Sequence, residues 1–217
     1  MKIAVIGKSH LADWTRFTVR HKTGAPCLVS EADLVLIAQD TPTQDGHRDL
    51  ALIERLCRET RAEAPESVLV LQSQVPPGFT RSLGMPIYHQ PETLRIGHEE
   101  SGALFPGCIV VGCADPSAPL PRFYSDYLGL FVCPILKMTY EEAEFSKIAI
   151  NITLAAQVDN TNRLAAAATR IGVDWSTVAQ ALALDPRIGH RSYLKPGRWQ
   201  DSPHLMRDAR TLTEIEE

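Results

Sequence analysis

The chain has 217 residues, a formal net charge of −4, 44% hydrophobic residues and 22% charged residues. That length holds one large domain or two small ones, and the balance is that of an ordinary globular protein. The charge offers no basic footprint for nucleic acid, and no apolar run approaches the ~20 residues of a membrane span. The five cysteines (Cys27, Cys57, Cys108, Cys113 and Cys133) are odd in number and form no C-x-x-C pair. Reduced, mostly buried thiols fit that pattern better than disulfides or zinc, and the seven histidines show no metal-ligand spacing, so no metal is expected. The apolar stretch before Gly7 is too short for a secretory signal, so a cytoplasmic protein is expected.

Residues 2–6 read as a buried strand, with Gly7 in the turn after it. The stretch from His10 to Glu31 has room for one short helix and a strand over residues 25–29. Residues 34–38 (LVLIA), 68–72 (VLVLQ) and 109–112 (IVVG) are further strands. Between the first two of these, residues 49–64 place Leu50, Ile53, Leu56 and Cys57 at helical spacing. Strands alternating with helices imply a parallel sheet covered on both faces. Residues 115–121 (DPSAPLP) punctuate the chain before a short helix over 122–128.

The character of the sequence changes near Met138. Thr139 is a candidate N-cap, followed by acidic Glu141 and Glu142, and neither Gly nor Pro occurs again until Gly172. Within this long helix Phe145, Ile148, Ala149, Ile152, Ala155 and Ala156 form one apolar stripe, while Ile150, Leu154 and Val158 lie outside it. Apolar surface on more than one side needs partners on more than one side. Gly172 stops the helix, Asp174 caps a second one running through Leu182, and a third follows Pro203. Residues 1–135 and 138–217 are thus expected as two domains, the first α/β and the second all-helical.

Four fragments occur in fixed order: residues 71–80 (LQSQVPPGFT), 91–97 (PETLRIG), the helical run Glu142-Ala143-Glu144-Phe145-Ser146-Lys147 with Asn151 one turn on, and residues 185–189 (DPRIG) followed by 193–197 (YLKPG). Together they resemble the UDP-glucose/GDP-mannose dehydrogenase family, over nearly the whole chain from Ala32 onward. The resemblance implies a shortened Rossmann-like sheet followed by a helical dimerisation region with a long central helix. It also implies a homodimer through residues 139–171; the family continues into a second α/β domain that completes its nucleotide-sugar pocket, and that domain is expected to be absent from this chain. Family members oxidise a sugar C6 alcohol to a carboxylate in two steps, passing hydride to NAD twice through a cysteine thiohemiacetal.

On this resemblance Lys147, Asn151, Asp208 and Glu92 match catalytic positions. Thr93, Leu94, Arg187, Tyr193, Leu194 and Lys195 match the sugar-nucleotide segment, and Gly7, Ser9, Thr41, Pro42 and Ser73 match the NAD site. A helical Lys-x-x-x-Asn places both polar heads on one face, where the lysine can stabilise oxyanion charge. Several positions depart from the family. Where the family reads G-G-S-C-F-P-K-D, residues 201–208 read DSPHLMRD, so His204 stands at the cysteine position, Arg207 at the lysine and only Asp208 remains. Gln74 replaces a threonine and Ile96 a glutamate. The dinucleotide fingerprint G-x-G-x-x-G keeps only Gly7 of its three glycines, and the strand that would carry a ribose-binding acid ~20 residues on has no room, which counts against NAD. A phosphate-loop reading of Gly7-Lys8-Ser9 fails because its first glycine would fall on Lys2.

A catalytically degenerate nucleotide-sugar dehydrogenase homologue, retaining partial sugar-nucleotide or dinucleotide (NAD) binding or only a dimeric scaffold, is therefore the leading expectation. Two others stand beside it: an NAD(P)-dependent oxidoreductase that carries out a single oxidation or reduction, which needs only a base and a hydride acceptor, and a non-catalytic scaffold or partner subunit of a full-length relative.

Overall fold

The computed structural model describes residues 1–44, 47–94 and 97–216. These divide into two compact units, residues 1–44 with 48–147, and residues 148–216 with His47.

The first unit is a three-layer α/β structure. Its elements in chain order are β1 (Ile3–Ile6), α1 (His10–Thr23), β2 (Leu34–Ile37), the two-residue strands β3 (Thr43–Gln44) and β4 (His47–Arg48), α2 (Ala51–Glu63), β5 (Val68–Leu71), α3 (Phe79–Ser82), β6 (Tyr88–His89), α4 (Glu99–Leu104), β7 (Ile109–Cys113), α5 (Arg122–Leu128) and β8 (Ile135–Thr139). The main sheet runs in the order β1-β2-β5-β6-β7-β8, and β3 and β4 lie outside it. From β1 to β6 the strands are parallel, with Ile3 opposite Leu34, Leu34 opposite Val68 and Val70 opposite Tyr88. The pair β7–β8 runs the other way, antiparallel to β6.

The near-continuous apolar strands make this architecture, because a strand buried on both faces needs no polar alternation. Leu34, Leu36 and Val70 face Val19 of α1 and Tyr124 and Tyr127 of α5. The alternate residues Val35, Ile37, Leu69 and Leu71 face Ile53 and Cys57 of α2. Four of the five strands of four or more residues, with α2 and α5, lie where the sequence pattern puts them, within two residues; β8 (Ile135–Thr139) is not among the expected strands. The strand expected over residues 25–29 does not form. Pro26 has no N–H to offer, Cys27 donates one backbone bond to the carbonyl of Ile3, and the chain then tightens into a 3-10 turn over Val29–Glu31. The helix before it is longer than expected, running His10–Thr23, and α3, α4 and β6 are too short to leave a periodic signal.

The long helix α6 (Tyr140–Arg170) begins in the first unit. Thr139 and Glu142 form a capping box: Glu142 accepts from the Thr139 N–H and hydroxyl at 2.8 Å each, and Thr139 Oγ1 accepts from the Glu142 N–H. Glu144, one turn on, is 1% exposed, and its carboxylate accepts from the backbone N–H groups of Gly78 (2.6 Å) and Thr80 (2.7 Å) in the Pro-Pro-Gly turn. Ala143 lies over Gly112 of β7, where an added methyl would meet Ala143 Cβ at 2.7 Å and His89 Cβ at 3.2 Å.

The second unit carries the rest of α6, then α7 (Trp175–Leu184) and α8 (Pro203–Glu216). α6 ends in a Schellman motif, with Val173 N–H on the Ala168 carbonyl and Gly172 N–H on that of Thr169. Asp174 caps α7 through the Ser176 N–H, and Pro203 takes the first position of α8, where its missing N–H costs nothing. The buried face of α6 here is Ile148, Asn151, Ala155, Val158, Thr161 and Ala168. This corrects the predicted stripe. Val158 is buried, and Asn151 and Thr161 join the buried face because each finds a partner, in Asp208 and the Tyr193 carbonyl. Phe145, placed in the stripe by its spacing, is exposed. No helix among the described residues is long and apolar enough to cross a membrane.

Gly112→Ala is expected to destabilise the protein by about 1–3 kcal/mol, the usual cost of overpacking a filled core. Denaturant titration checks this, and a midpoint unchanged from wild type would show that α6 and β7 have room to separate.

Candidate functional site

The residues matched to an NAD site gather at the carboxyl ends of the parallel strands, the place where open α/β sheets bind ligands. Gly7 follows β1 with φ of 133°, and a Cβ there would stand 2.3 Å from the Ala38 carbonyl oxygen, so glycine is required where this turn meets the end of β2. Ser9 is the N-cap of α1. Its Oγ accepts from the Ala12 N–H (3.5 Å) and the Asp40 N–H (2.9 Å) and donates to the Ala38 carbonyl (3.3 Å). The Lys8 N–H donates to Gln39 Oε1 at 3.0 Å. Thr41 donates to the Gln74 carbonyl at 2.6 Å, and the Pro42 carbonyl accepts from the Asp49 N–H. Ser73 is fully buried just beyond β5.

Glu92, Thr93 and Leu94 follow β6. Ile96, read as replacing a family glutamate, lies outside the described residues. Burial pushes the Glu92 carboxyl above its ordinary pKa, while the Thr93 N–H (2.6 Å) and the positive charge of Lys147 pull it back. The Tyr127 hydroxyl is pushed up by burial, with the Glu92 charge adding to it. A cavity of about 40 Å³ beside Glu92 is lined by Thr15, Gln72, Gln90, Leu94 and Tyr127. It has room for a few waters. Burial pushes fully enclosed His89 of β6 down to about 3, so its ring is neutral at pH 7.

In the second unit the Asp208 carboxylate is fully buried. Asn151 Nδ2 donates to its Oδ2 at 2.6 Å, and Arg207 Nε, itself 3% exposed, to its Oδ1 at 3.3 Å. His204 is exposed in the first turn of α8. Arg187 is exposed and forms a two-point ion pair with Asp185, at 3.0 and 2.7 Å. Tyr193 is held by its backbone, its N–H on Gln157 and its carbonyl on Thr161, and the Leu194 carbonyl accepts from Trp175 Nε1. Arg187, Tyr193 and Leu194, with Ile188 and Leu164, line a cleft of about 300 Å³, and exposed Lys195 does not.

The predicted residues thus fall into groups. Glu92 and Lys147 act on each other in the first unit, and Asn151 and Asp208 are bonded in the second. Thr93 and Leu94 belong to the first unit, and Arg187, Tyr193 and Leu194 share a cleft in the second. Sequence reasoning missed Gln39, Glu144, Tyr127 and the Arg207–Asp208 pair. Two of these left a signal: Glu144 lies within the Glu142–Lys147 fragment, and the pair shows as a basic residue retained before Asp208.

Asp208→Ala is expected to cost about 3–5 kcal/mol in denaturant titration, because it removes one partner of a buried ion pair and the acceptor of Asn151. A loss below about 1 kcal/mol would show that the pair contributes no more than an exposed one. Removing the cation with Lys147→Met is expected to raise the Glu92 pKa further, since the ammonium favours the carboxylate. A carboxyl titration followed by NMR reads this, and an unmoved midpoint would separate the two groups.

The profile described as "UDP-glucose/GDP-mannose dehydrogenase family, central domain" matches residues 141–217. The chain is 28% identical over 208 residues to the GDP-mannose 6-dehydrogenase of Pseudomonas aeruginosa, covering 85% of this chain and 47% of that protein. It is 28% identical over 204 residues to the UDP-glucose 6-dehydrogenase YwqF of Bacillus subtilis, covering 86% and 45%. It therefore spans about half the length of the curated relatives it matches. The solved UDP-glucose dehydrogenase of Pyrobaculum islandicum superposes with a TM-score of 0.76 at 23% identity, covering 99% of this chain and 64% of that one. The GDP-mannose dehydrogenase of Pseudomonas aeruginosa gives 0.73 at 21%, covering 98% and 65%. Residues 141–217 thus match the central-domain model of the UDP-glucose/GDP-mannose dehydrogenase family, and the chain as a whole is similar in sequence and in fold to dehydrogenases of that kind.

Proposed function

We propose that this chain is a nucleotide-sugar dehydrogenase homologue that does not carry out the family's double oxidation, and that it works as a non-catalytic, dimeric member. The observation that carries this reading is the first turn of α8. The position aligned to the nucleophile holds His204, exposed to solvent, and Cys133 is the last cysteine of the chain. A thiolate adduct can be oxidised a second time and then hydrolysed, whereas an imidazole adduct is a cationic, poor hydride donor. The nearby carboxylate is also engaged. Asp208 is closed off by Asn151 and Arg207, so in this reading it supports the packing of α8 on α6 rather than moving protons.

The dimer is supported by apolar surface left uncovered on the helical unit. Ile150 and Leu164 of α6 are exposed, as are Ile171 and Leu184, and α7 buries none of its residues despite its apolar composition. Such surface on helices suits a second copy of the same chain. The cleft lined by Arg187 and Tyr193 lies on this unit, and a sugar nucleotide is the ligand class the family resemblance assigns to it.

Purified protein given NAD with UDP-glucose or GDP-mannose is expected to produce no reduced nicotinamide and no sugar acid, and to sediment at twice the chain mass. Leu164→Asp combined with Leu184→Asp is expected to give the monomer. Sustained turnover with either sugar nucleotide would sink the non-catalytic reading, and a wild-type monomer at micromolar concentration would sink the dimeric one.

A further inference from the structure

The family implies NAD, and the residues at the β1–α1 turn do not fit it. We infer that this turn is closed from within, with Gln39 taking up the Lys8 N–H and the Ser9 side chain, bonded to Ala12, Asp40 and Ala38, filling the place of the second glycine, so that the chain holds no dinucleotide there.

A pyrophosphate at such a turn needs free backbone N–H groups at a helix N-terminus and a glycine that lets the backbone come close. Here the Lys8 N–H is bonded to Gln39 Oε1. The Ala12 N–H goes to Ser9 Oγ, which also accepts from Asp40 and donates to the Ala38 carbonyl. Gln39 is itself fixed, since its Nε2 donates to the Asp40 carbonyl at 3.1 Å. Ser9 stands where the fingerprint's second glycine would be, and its side chain faces back onto the end of β2 instead of leaving a path for phosphate.

Charge and topology point the same way. Asp13 lies in the first turn of α1, where a second anion would meet repulsion. Arg16, the nearby cation, is held on the Gly7 carbonyl at 2.5 Å and on Asp13 at 3.4 Å. β1 is the edge of the sheet, so among the described residues no strand stands beyond it to offer an acid to an adenosine ribose. What serves relatives of this fold as a cofactor cradle is here a clasp between β1, α1 and the end of β2.

Amide hydrogen exchange and NADH titration of the full chain test this together. Lys8 is expected to be protected without any cofactor. Gln39→Ala is expected to speed its exchange about fivefold, the factor expected for one ordinary hydrogen bond, and Gln39→Glu, which keeps an acceptor, to restore protection. Exchange elsewhere in β1 and β2 reports whether each variant is folded. Nicotinamide fluorescence is expected to show no saturable change up to about 1 mM NADH. Saturable NADH binding by the wild type would overturn the inference whatever turnover assays show. So would Lys8 exchange that ignores Gln39→Ala in a folded variant.

Discussion

A buried carboxylate joins the sheet of the first unit to the helix that leaves it. Glu144 is almost wholly removed from water, and burial pushes its pKa up even though the N–H groups of Gly78 and Thr80 favour the charged form. Those two bonds satisfy donors of the Pro-Pro-Gly turn that have no ladder to join, and they fix where the first turn of α6 rests. Much follows from that placement. Ala143 meets Gly112 across β7, Tyr140 donates to the Ile87 carbonyl at 2.6 Å, and Arg81 and Glu141 pair outside the same joint. Lys147 lies one turn beyond Ala143, and its charge therefore reaches Glu92. Change the anchor and the position of that cation changes with it.

Fold and site were legible to different degrees for physical reasons. Apolar runs such as Leu34–Ile37 announce themselves, because burial on both faces demands an unbroken hydrophobic stretch. Caps are equally local: Thr139, Asp174 and Gly172 do in the structure what their residue types suggest. The buried face of α6 was harder to read. Asn151 and Thr161 lie on it only because Asp208 and Tyr193, far along the chain, provide partners, and a hydropathy pattern carries no information about partners. The reversed direction of β7 and β8 was hidden for a related reason, since strand polarity depends on the route of the connecting loops. At the site, motif matching located Lys147, Glu92, Asn151 and Asp208, but not the company each keeps. Gln39 left no trace at all, being one polar residue after a strand.

The two functional regions have changed in different ways relative to the family pattern. In α8 the change is chemical: the thiol position carries an imidazole, and the retained aspartate is absorbed into a buried network with Arg207. At the β1–α1 turn it is geometric: the glycine needed for close packing remains at Gly7, while the groups around it bond to one another. In both places polar groups bond to one another within the chain. Buried networks of this kind resist change because breaking them leaves a charge or a donor without its partner.

The position of β1 has a further consequence, for association rather than catalysis. A parallel strand at the margin of a sheet exposes a row of donors and acceptors that invites a strand from another molecule. Beside Ile3–Ile6 runs a segment that spends one N–H, from Cys27, on the Ile3 carbonyl and presents Pro26 next to it, which has none to give. Lys2 and Glu31 form an ion pair at 3.2 Å at the near end of the same margin. The segment is a poor template for continuing the ladder, so this sheet can end at its first strand without offering that strand for edge-to-edge polymerisation.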